Sequence, residues 1–424
     1  MTNFSDSPKM NNKWNNLILH LHPKMVPEEA IKFTLTFGLG GMAALLFVLL
    51  AFTGILMRFV YVPSPEAAYD SIQHLKNEVL FGNFIRNVHY WSGTLLVLIT
   101  FLHMLRVLFT GAYNQKRGGN WIIGVCLLLL VIASNFTGYL LPWDQLAYWA
   151  ITVSTSMLNY VPLIGESLNK MIIQGNEVGA PTLLVFYALH TGVLPLAMVV
   201  LMGFHFWKTR KAGGVVIPQR SDKEKLNKVP VVPNLISIEF VVALFLIALI
   251  FLLSTFFNAP LEDEANPLIT PNPSKAPWYF MGFQELILHF HPVIAVVIIP
   301  ACVLTLLFYL PGFKEVYPKQ GIWFLTPMGK KLALIAGVLA FILTPLFILL
   351  NEYLLGKFML FKHGILTFVL YIGFLFVSAF YLRKYQKADN SIRIQTITVF
   401  LITTFIVLTL IGIYLRGEGM KLIF

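Results

Sequence analysis

Long apolar runs, broken by short polar stretches, set the pattern of this chain. Nine runs stand out, at about residues 31–60, 84–110, 120–141, 183–206, 236–257, 291–311, 331–351, 362–383 and 394–416. A bilayer core takes about 20 apolar residues per helix, and in lipid a helix satisfies its own backbone groups. The pattern therefore predicts an all-α integral membrane protein, a bundle of eight or nine transmembrane helices, with some spans long enough to tilt. The first run follows a polar stretch, residues 1–30, and is too long for a cleaved secretory signal. Three connections, 61–82, 142–181 and 258–290, are long and carry amphipathic pieces. Connections of that length usually do something.

Composition agrees, with only 12% charged residues, 57% hydrophobic ones and a mean hydropathy of +0.74, where soluble domains carry about 25% charged residues. The net charge of +11 has a distribution that explains it. Of 31 Lys and Arg, 22 lie in alternate connections: Lys9 to Lys32, Arg106 to Arg117, Lys208 to Lys228, Lys314 to Lys331 and Arg383 to Arg393. That asymmetry places the amino terminus in the cytoplasm and, with nine spans, the carboxyl terminus outside. The basic excess thus orients the chain in a lipid membrane and gives no reason to expect nucleic acid. A bacterial cytoplasmic membrane is the expected location. Cys126 and Cys302 are isolated in apolar runs and support neither a disulfide framework nor a zinc site. Glu262, Asp263 and Glu264 read as a solvated turn or as a docking point for a basic partner.

Of the ten histidines, two pairs share an expected span: His89 and His103 on the second, His190 and His205 on the fourth. The steps are 14 and 15 residues, close to four helical turns, so each helix offers two histidines on roughly one face about 21 Å apart. Both helices run in the same direction across the membrane, so His89 can face His190 and His103 can face His205. Ionisable groups at membrane depth are costly and mark function. Facing imidazoles in a bundle are what a haem iron with two axial ligands requires, whereas zinc wants three or four clustered ligands. Glycines repeat the spacing: Gly40 and Gly54 on the first span, Gly124 and Gly138 on the third, each pair 14 apart. Such glycines either pack helices or clear space at the two heights where flat macrocycles sit.

With these histidines, the glycine pairs, the stretch GYLLPWDQLAYWA from Gly138 to Ala150 and APWYF from Ala276 to Phe280, the chain resembles cytochrome b of the quinol:cytochrome c oxidoreductase family. The resemblance covers about residues 30–310. The 15-residue step from His190 to His205 is similar to the chloroplast-type and menaquinol-type forms. It implies two haem b groups, one on His89 and His190 near the outer face and one on His103 and His205 near the cytoplasmic face. It also implies a Q cycle: quinol is oxidised outside, and electrons divide between a Rieske iron–sulfur protein with its c-type cytochrome and a transmembrane path to quinone inside. The assembly implied is a homodimer within a multisubunit respiratory complex.

Two departures change what the resemblance implies. The chloroplast-type form carries a cysteine before Leu-Gly-Gly that holds a third haem; here that place is Gly38, so no covalently attached third haem is expected. The family's outer quinol site has Pro-Glu-Trp-Tyr, whose Glu accepts a proton; here Pro277 precedes Trp278 and Tyr279. Some acceptor within hydrogen-bond reach is still needed. Glu285 is the first candidate, its other reading being a carboxylate near a helix N-terminus. Asp144 is a second, its other reading an anchor of the outer loop, and Tyr279 is carried over as a quinol-site residue. Arg86 and Arg106, each three residues from a haem histidine, and Arg210 read either as partners of haem propionates or quinone or as interfacial anchors.

The expected organisation is a cytoplasmic amphipathic tail (1–30), a dihaem four-helix bundle (31–210), a cytoplasmic linker (211–235), quinol-site helices with an outer loop (236–311) and additional transmembrane helices (312–424). The alternative to a Q-cycle subunit is a dihaem anchor linking quinone to a peripheral dehydrogenase. An anchor has no need of the Trp278–Tyr279 segment or the Pro142-Trp143-Asp144 loop.

Overall fold

A computed structural model describes residues 23–113, 117–218, 227–312, 320–354 and 364–423. Residues 1–22 of the expected tail, Lys116, the linker residues 219–226, Lys314 and the start of the expected eighth span lie outside the described residues. In chain order the helices are α1 Leu39–Arg58, α2 Ala68–Asn77, α3 Gly82–Phe109, α4 Gly118–Tyr139, α5 Gln145–Ser156, α6 Gly165–Ile173, α7 Ala180–Lys211, α8 Val231–Phe256, α9 Trp278–His289, α10 Val293–Gly312, α11 Pro327–Tyr353, α12 Ile365–Lys384 and α13 Asn390–Tyr414. Nine of them among the described residues are long and apolar enough to cross a membrane: α1, α3, α4, α7, α8 and α10 to α13. The short helices α2, α5, α6 and α9 occupy the three long connections. A two-stranded antiparallel sheet, β1 Met25–Pro27 against β2 Lys228–Pro230, ties the amino-terminal segment to the start of α8.

The first span starts at Leu39 rather than near residue 31. A 3-10 turn (Glu28–Ile31) and a one-turn helix (Phe33–Thr36) precede it. Phe37 and Gly38 then take left-handed conformations, with φ of 52° and 65°, which no continuing right-handed helix tolerates. A side chain at Gly38 would combine that strain with a Cβ 3.1 Å from Val242.

The helix carrying His190 and His205 is not uniform. Leu189–Val193 forms a π-helical turn just before Pro195, whose missing N–H cannot bond back in the α-helical pattern. Fifteen residues of unbroken α-helix would carry His205 about 100° further round the axis than fourteen. The π turn takes up one residue and brings the 15-residue step into phase with the 14-residue step on α3.

The helices α1, α3, α4 and α7 pack in sequence, with α8 laid against α3. Their shared core includes Leu46, Val88, Leu96, Val131, Met198, Leu246 and Ile250. A second group forms where α13 packs on α11 and α9. The groups are joined by polar ties: Trp121 Nε1 on α4 donates to Leu307 O on α10 at 2.7 Å, and Gln395 Nε2 on α13 donates to Leu108 O on α3 at 3.1 Å. Large apolar side chains such as Phe245 and Phe376 remain exposed on the outside of the bundle, the face a membrane span offers to lipid.

Candidate functional site

The α3 and α7 histidines meet as two pairs. His89 faces His190 with ring centres 6.1 Å apart, and His103 faces His205 at 6.3 Å. A metal to imidazole-nitrogen bond is about 2.0–2.1 Å, so two imidazoles on opposite sides of one ion put their ring centres roughly 6 Å apart. Both pairs have that separation.

Hydrogen bonds fix which nitrogen is free at the first pair. His190 Nδ1 lies 2.9 Å from Ser134 O; a carbonyl only accepts, so Nδ1 carries the proton. His89 Nδ1 lies 2.9 Å from Thr53 Oγ1, whose own hydrogen goes to Leu49 O at 2.7 Å, so His89 again donates from Nδ1. In both rings Nε2 is left bare, the tautomer a metal-binding imidazole needs. In the second pair, the backbone of Asn120 is the hydrogen-bonding neighbour of His205, at looser geometry than the bonds of the first pair.

Each of the four glycines stands against one of these imidazoles. A Cβ added at Gly54 would lie 3.2 Å from His89 Cε1, at Gly40 3.3 Å from His103, at Gly124 3.5 Å from His205 and at Gly138 only 2.4 Å from His190. The space they clear is therefore beside the rings, where α1 backs the α3 histidines and α4 backs the α7 histidines.

The three arginines differ. Arg86 is buried and spends its guanidinium on the carbonyls of Ala259 (2.9 Å) and Pro260 (2.6 Å), closing the segment after α8 onto α3. Arg106 is buried with Nε on Leu35 O at 2.9 Å, but its Nη2 is buried with no partner. A guanidinium nitrogen left over three residues from His103 fits the carboxylate of a macrocycle held there. Arg210 sits on the exposed last turn of α7.

At the His89/His190 end, the two long connections interlock. Asp144 caps α5: its Oδ1 accepts from Ala147 N at 2.8 Å and its Oδ2 from Glu262 N at 3.1 Å. Gln145 N donates to Asp263 O and Ala265 N to Trp143 O. Burial pushes the Asp144 carboxyl above the usual aspartate range, partly offset by those two N–H groups and by the nearby Arg86. Glu262 is also raised, by burial and by the charges of Asp144 and Asp263.

Trp278 and Tyr279 open α9 and pack on the core shared by α1, α3, α4, α7 and α8. Gln284 holds the turn ahead of them, with Oε1 accepting from Ala276 N at 2.8 Å and Nε2 donating to Ser274 O at 2.7 Å. Burial raises the Tyr279 phenol, with Tyr139 and Tyr90 in electrostatic range. Asp144 and Glu262 are in range of the same Tyr139.

Glu285 is placed elsewhere. It lies six residues beyond Tyr279, about a third of a turn away round α9, and is fully buried against Arg416, 3.1 Å from Nε, and His289 Nε2, 3.1 Å. Burial alone would raise its carboxyl, but the bonds from His289 and Arg416 outweigh it and hold it below the usual range. Arg416 and Gln284 were not singled out from sequence. Arg416 pairs across 131 residues, a separation that no periodicity marks.

A profile of the family described as Cytochrome b/b6/petB matches residues 24–213. Cytochrome b6 of Heliomicrobium gestii is 43% identical over 192 residues, covering 45% of this chain and 88% of that protein. Cytochrome b6 of Acaryochloris marina is 41% identical over 190 residues, covering 45% and 87%. A solved chain titled Hyperthermophilic respiratory Complex III shares the fold with a TM-score of 0.69 over 94% of this chain and 96% of that one, at 22% identity; it extends the likeness through α8 to α13, which lie beyond the family match. The chain belongs to the cytochrome b/b6 family, the b-haem proteins embedded in the membrane by bc-type electron-transport complexes.

Proposed function

We propose that this chain is the cytochrome b subunit of a quinol-oxidising respiratory complex working by a Q cycle. Quinol is oxidised at the His89/His190 end, taken as the outer face from the distribution of Lys and Arg. One electron leaves to a Rieske iron–sulfur protein and a c-type cytochrome, and the other crosses to a quinone at the cytoplasmic end. Protons are released outside and taken up inside, in a homodimeric, multisubunit assembly. The observation that supports this best is the stacking of two histidine pairs on one helix pair, with the Trp278–Tyr279 segment and the Asp144 loop at the same end. A dihaem anchor for a peripheral dehydrogenase would need only the first of these.

Two b haems, held by His89 with His190 and by His103 with His205, supply one-electron carriers at two depths when bound. The chain's own residues set the tautomers through Thr53 and Ser134, clear space through the four glycines and offer Arg106 to a propionate. Tyr279, whose raised phenol stays protonated, donates a hydrogen bond that orients quinol. Pro277 cannot take a proton, and Glu285 is committed to Arg416 and His289. We assign proton acceptance to Asp144, whose raised carboxyl lies closer to operating pH than an ordinary aspartate and is in range of Tyr139 beside Tyr279.

The test is quinol-driven reduction of an added c-type cytochrome by the purified complex. The expected result is turnover that needs both histidine pairs and stops with a blocker of the outer site. Quinol oxidation that reduces both haems but never a c-type acceptor would favour the anchor.

A further inference from the structure

We propose that Arg416, on the segment after the last transmembrane helix, is a positioning residue of the outer quinol site, acting through Glu285. The inference rests on the assignment of Trp278 and Tyr279 to that site.

Arg416 is 2% exposed and Glu285 not at all. The guanidinium meets the Glu285 carboxylate through Nε and Nη2. Its Nη1 turns the other way, to Glu352 Oε2 at 2.9 Å at the end of α11 and to Met420 O at 2.9 Å. Glu285 also takes His289 Nε2, and His289 Nδ1 meets Asn351 Nδ2 of α11 at 2.9 Å. One largely buried polar cluster thus joins α9, α11 and the segment after α13.

The contact is tight along its length. A Cβ at Gly412 of α13 would lie 2.5 Å from Met281 Cγ, and one at Gly282 of α9 would lie 2.7 Å from Phe405 and 2.8 Å from Thr409. Backbones brought this close by small residues leave no room to slide.

The segment ahead of α9 is held by the same carboxyl-terminal element. Lys275 Nζ donates to Ile413 O at 2.8 Å, and Gly419 N donates to Asn272 Oδ1 at 2.6 Å. The residues from 415 to 423 fold back on themselves, with Arg416 bridged to Leu422. Anchors at Asn272, Lys275 and Glu285 therefore bracket Trp278 and Tyr279 on both sides. Tyr279 packs against the core of the histidine-bearing bundle, and Arg416 sets how α9 is turned toward it. A misplacement of about 1 Å by a residue remote from the chemistry costs as much as 100-fold in rate.

The experiment uses the intact complex, with kcat and KM for quinol oxidation measured alongside haem content, the spectra of both haems and quinone binding at the cytoplasmic end. Arg416→Gln leaves a buried carboxylate unpaired and is prone to misassemble, so the decisive variant is Arg416→Met with Glu285→Met, which removes both buried charges together. The expected result is a normal haem content with unshifted spectra and unchanged quinone binding, and a loss of roughly 10- to 100-fold in kcat/KM for quinol. Arg416→Lys, which keeps the charge without the planar fork, should fall between the double variant and wild type. Unchanged kcat/KM in the double variant overturns the inference, as does a loss that only tracks missing haem. If the wild-type complex itself does not oxidise quinol, the functional reading fails and takes the inference with it.

Discussion

Substituting alanine for each of the four glycines should produce a graded response that follows the distances. Ordinary contact begins at 3.4 Å, and a Cβ at Gly138 would stand 2.4 Å from His190 Cε1, a shortfall of 1.0 Å. Metal–ligand distances are held within about 0.2 Å, so a retreat of that size takes the imidazole off the iron. It also threatens the 2.9 Å bond from His190 Nδ1 to Ser134 O, because both Ser134 and Gly138 belong to α4 and cannot yield separately. Overpacking of this kind costs about 1–3 kcal/mol, and a lost hydrogen bond about 1 kcal/mol more. The shortfalls at Gly54 and Gly40 are 0.2 and 0.1 Å, and Gly124 at 3.5 Å has none. Haem-to-protein ratio and the reduced-minus-oxidised spectrum of each purified variant give the assay. Gly138→Ala should lose the His89/His190 haem and keep the other, Gly54→Ala and Gly40→Ala should be mildly affected, and Gly124→Ala should match wild type. Two haems with unshifted spectra in Gly138→Ala, or a greater loss in Gly124→Ala, would refute the reasoning.

Three further outcomes follow from the same geometry. Thr53→Val removes the acceptor that orients His89 and should weaken haem retention at that pair by roughly 10- to 100-fold, measured by competition with an apo-haem acceptor protein, while the His103/His205 pair is untouched. Asp144→Asn keeps an oxygen to cap α5 but cannot accept a proton. In wild type, quinol oxidation should fall as pH drops through the raised Asp144 value, because the acceptor works only when ionised; the pH–rate profile of the variant should be lower and lack that limb, and an unchanged profile would remove Asp144 from the proton path. Glu285 is held below the ordinary glutamate value of 4.5, so its ion pair stabilises the fold fully above that value and the contribution is lost as pH falls through the lower folded value. Thermal unfolding of the detergent-solubilised protein below about pH 4.5 should therefore lose more stability in wild type than in the Arg416→Met/Glu285→Met variant.

Much of this architecture is legible in the residues because the membrane simplifies the code. A span needs about 20 apolar residues, so nine runs mark the nine spanning helices found among the described residues, and the scarcity of polar groups makes His89, His103, His190 and His205 conspicuous. The glycine spacing pointed to cleared space at two heights, although the space proves to lie beside the imidazoles. What the pattern conceals is local backbone and long-range pairing. The first run reads as one helix from residue 31, yet Phe37 and Gly38 turn left-handed and delay it to Leu39. The 15-residue step on α7 is reconciled by a π turn that hydropathy does not register. Glu285 carries no sign in sequence of Arg416, and only the fold brings the last helix against α9, where the carboxylate is already engaged. Arg86 likewise spends its fork on two carbonyls after α8, whereas Arg106 keeps one nitrogen in hand.

The central claim is that electrons from quinol enter at the His89/His190 end and cross to the His103/His205 end. The direct measurement is rapid quinol-driven reduction of both haems with the cytoplasmic quinone site blocked, in wild type, His89→Leu and His103→Leu. Wild type should reduce the outer haem first and the inner one after it. His103→Leu should still reduce the outer haem, and His89→Leu should leave the inner haem oxidised. Reduction of the inner haem at the wild-type rate in His89→Leu would contradict the path.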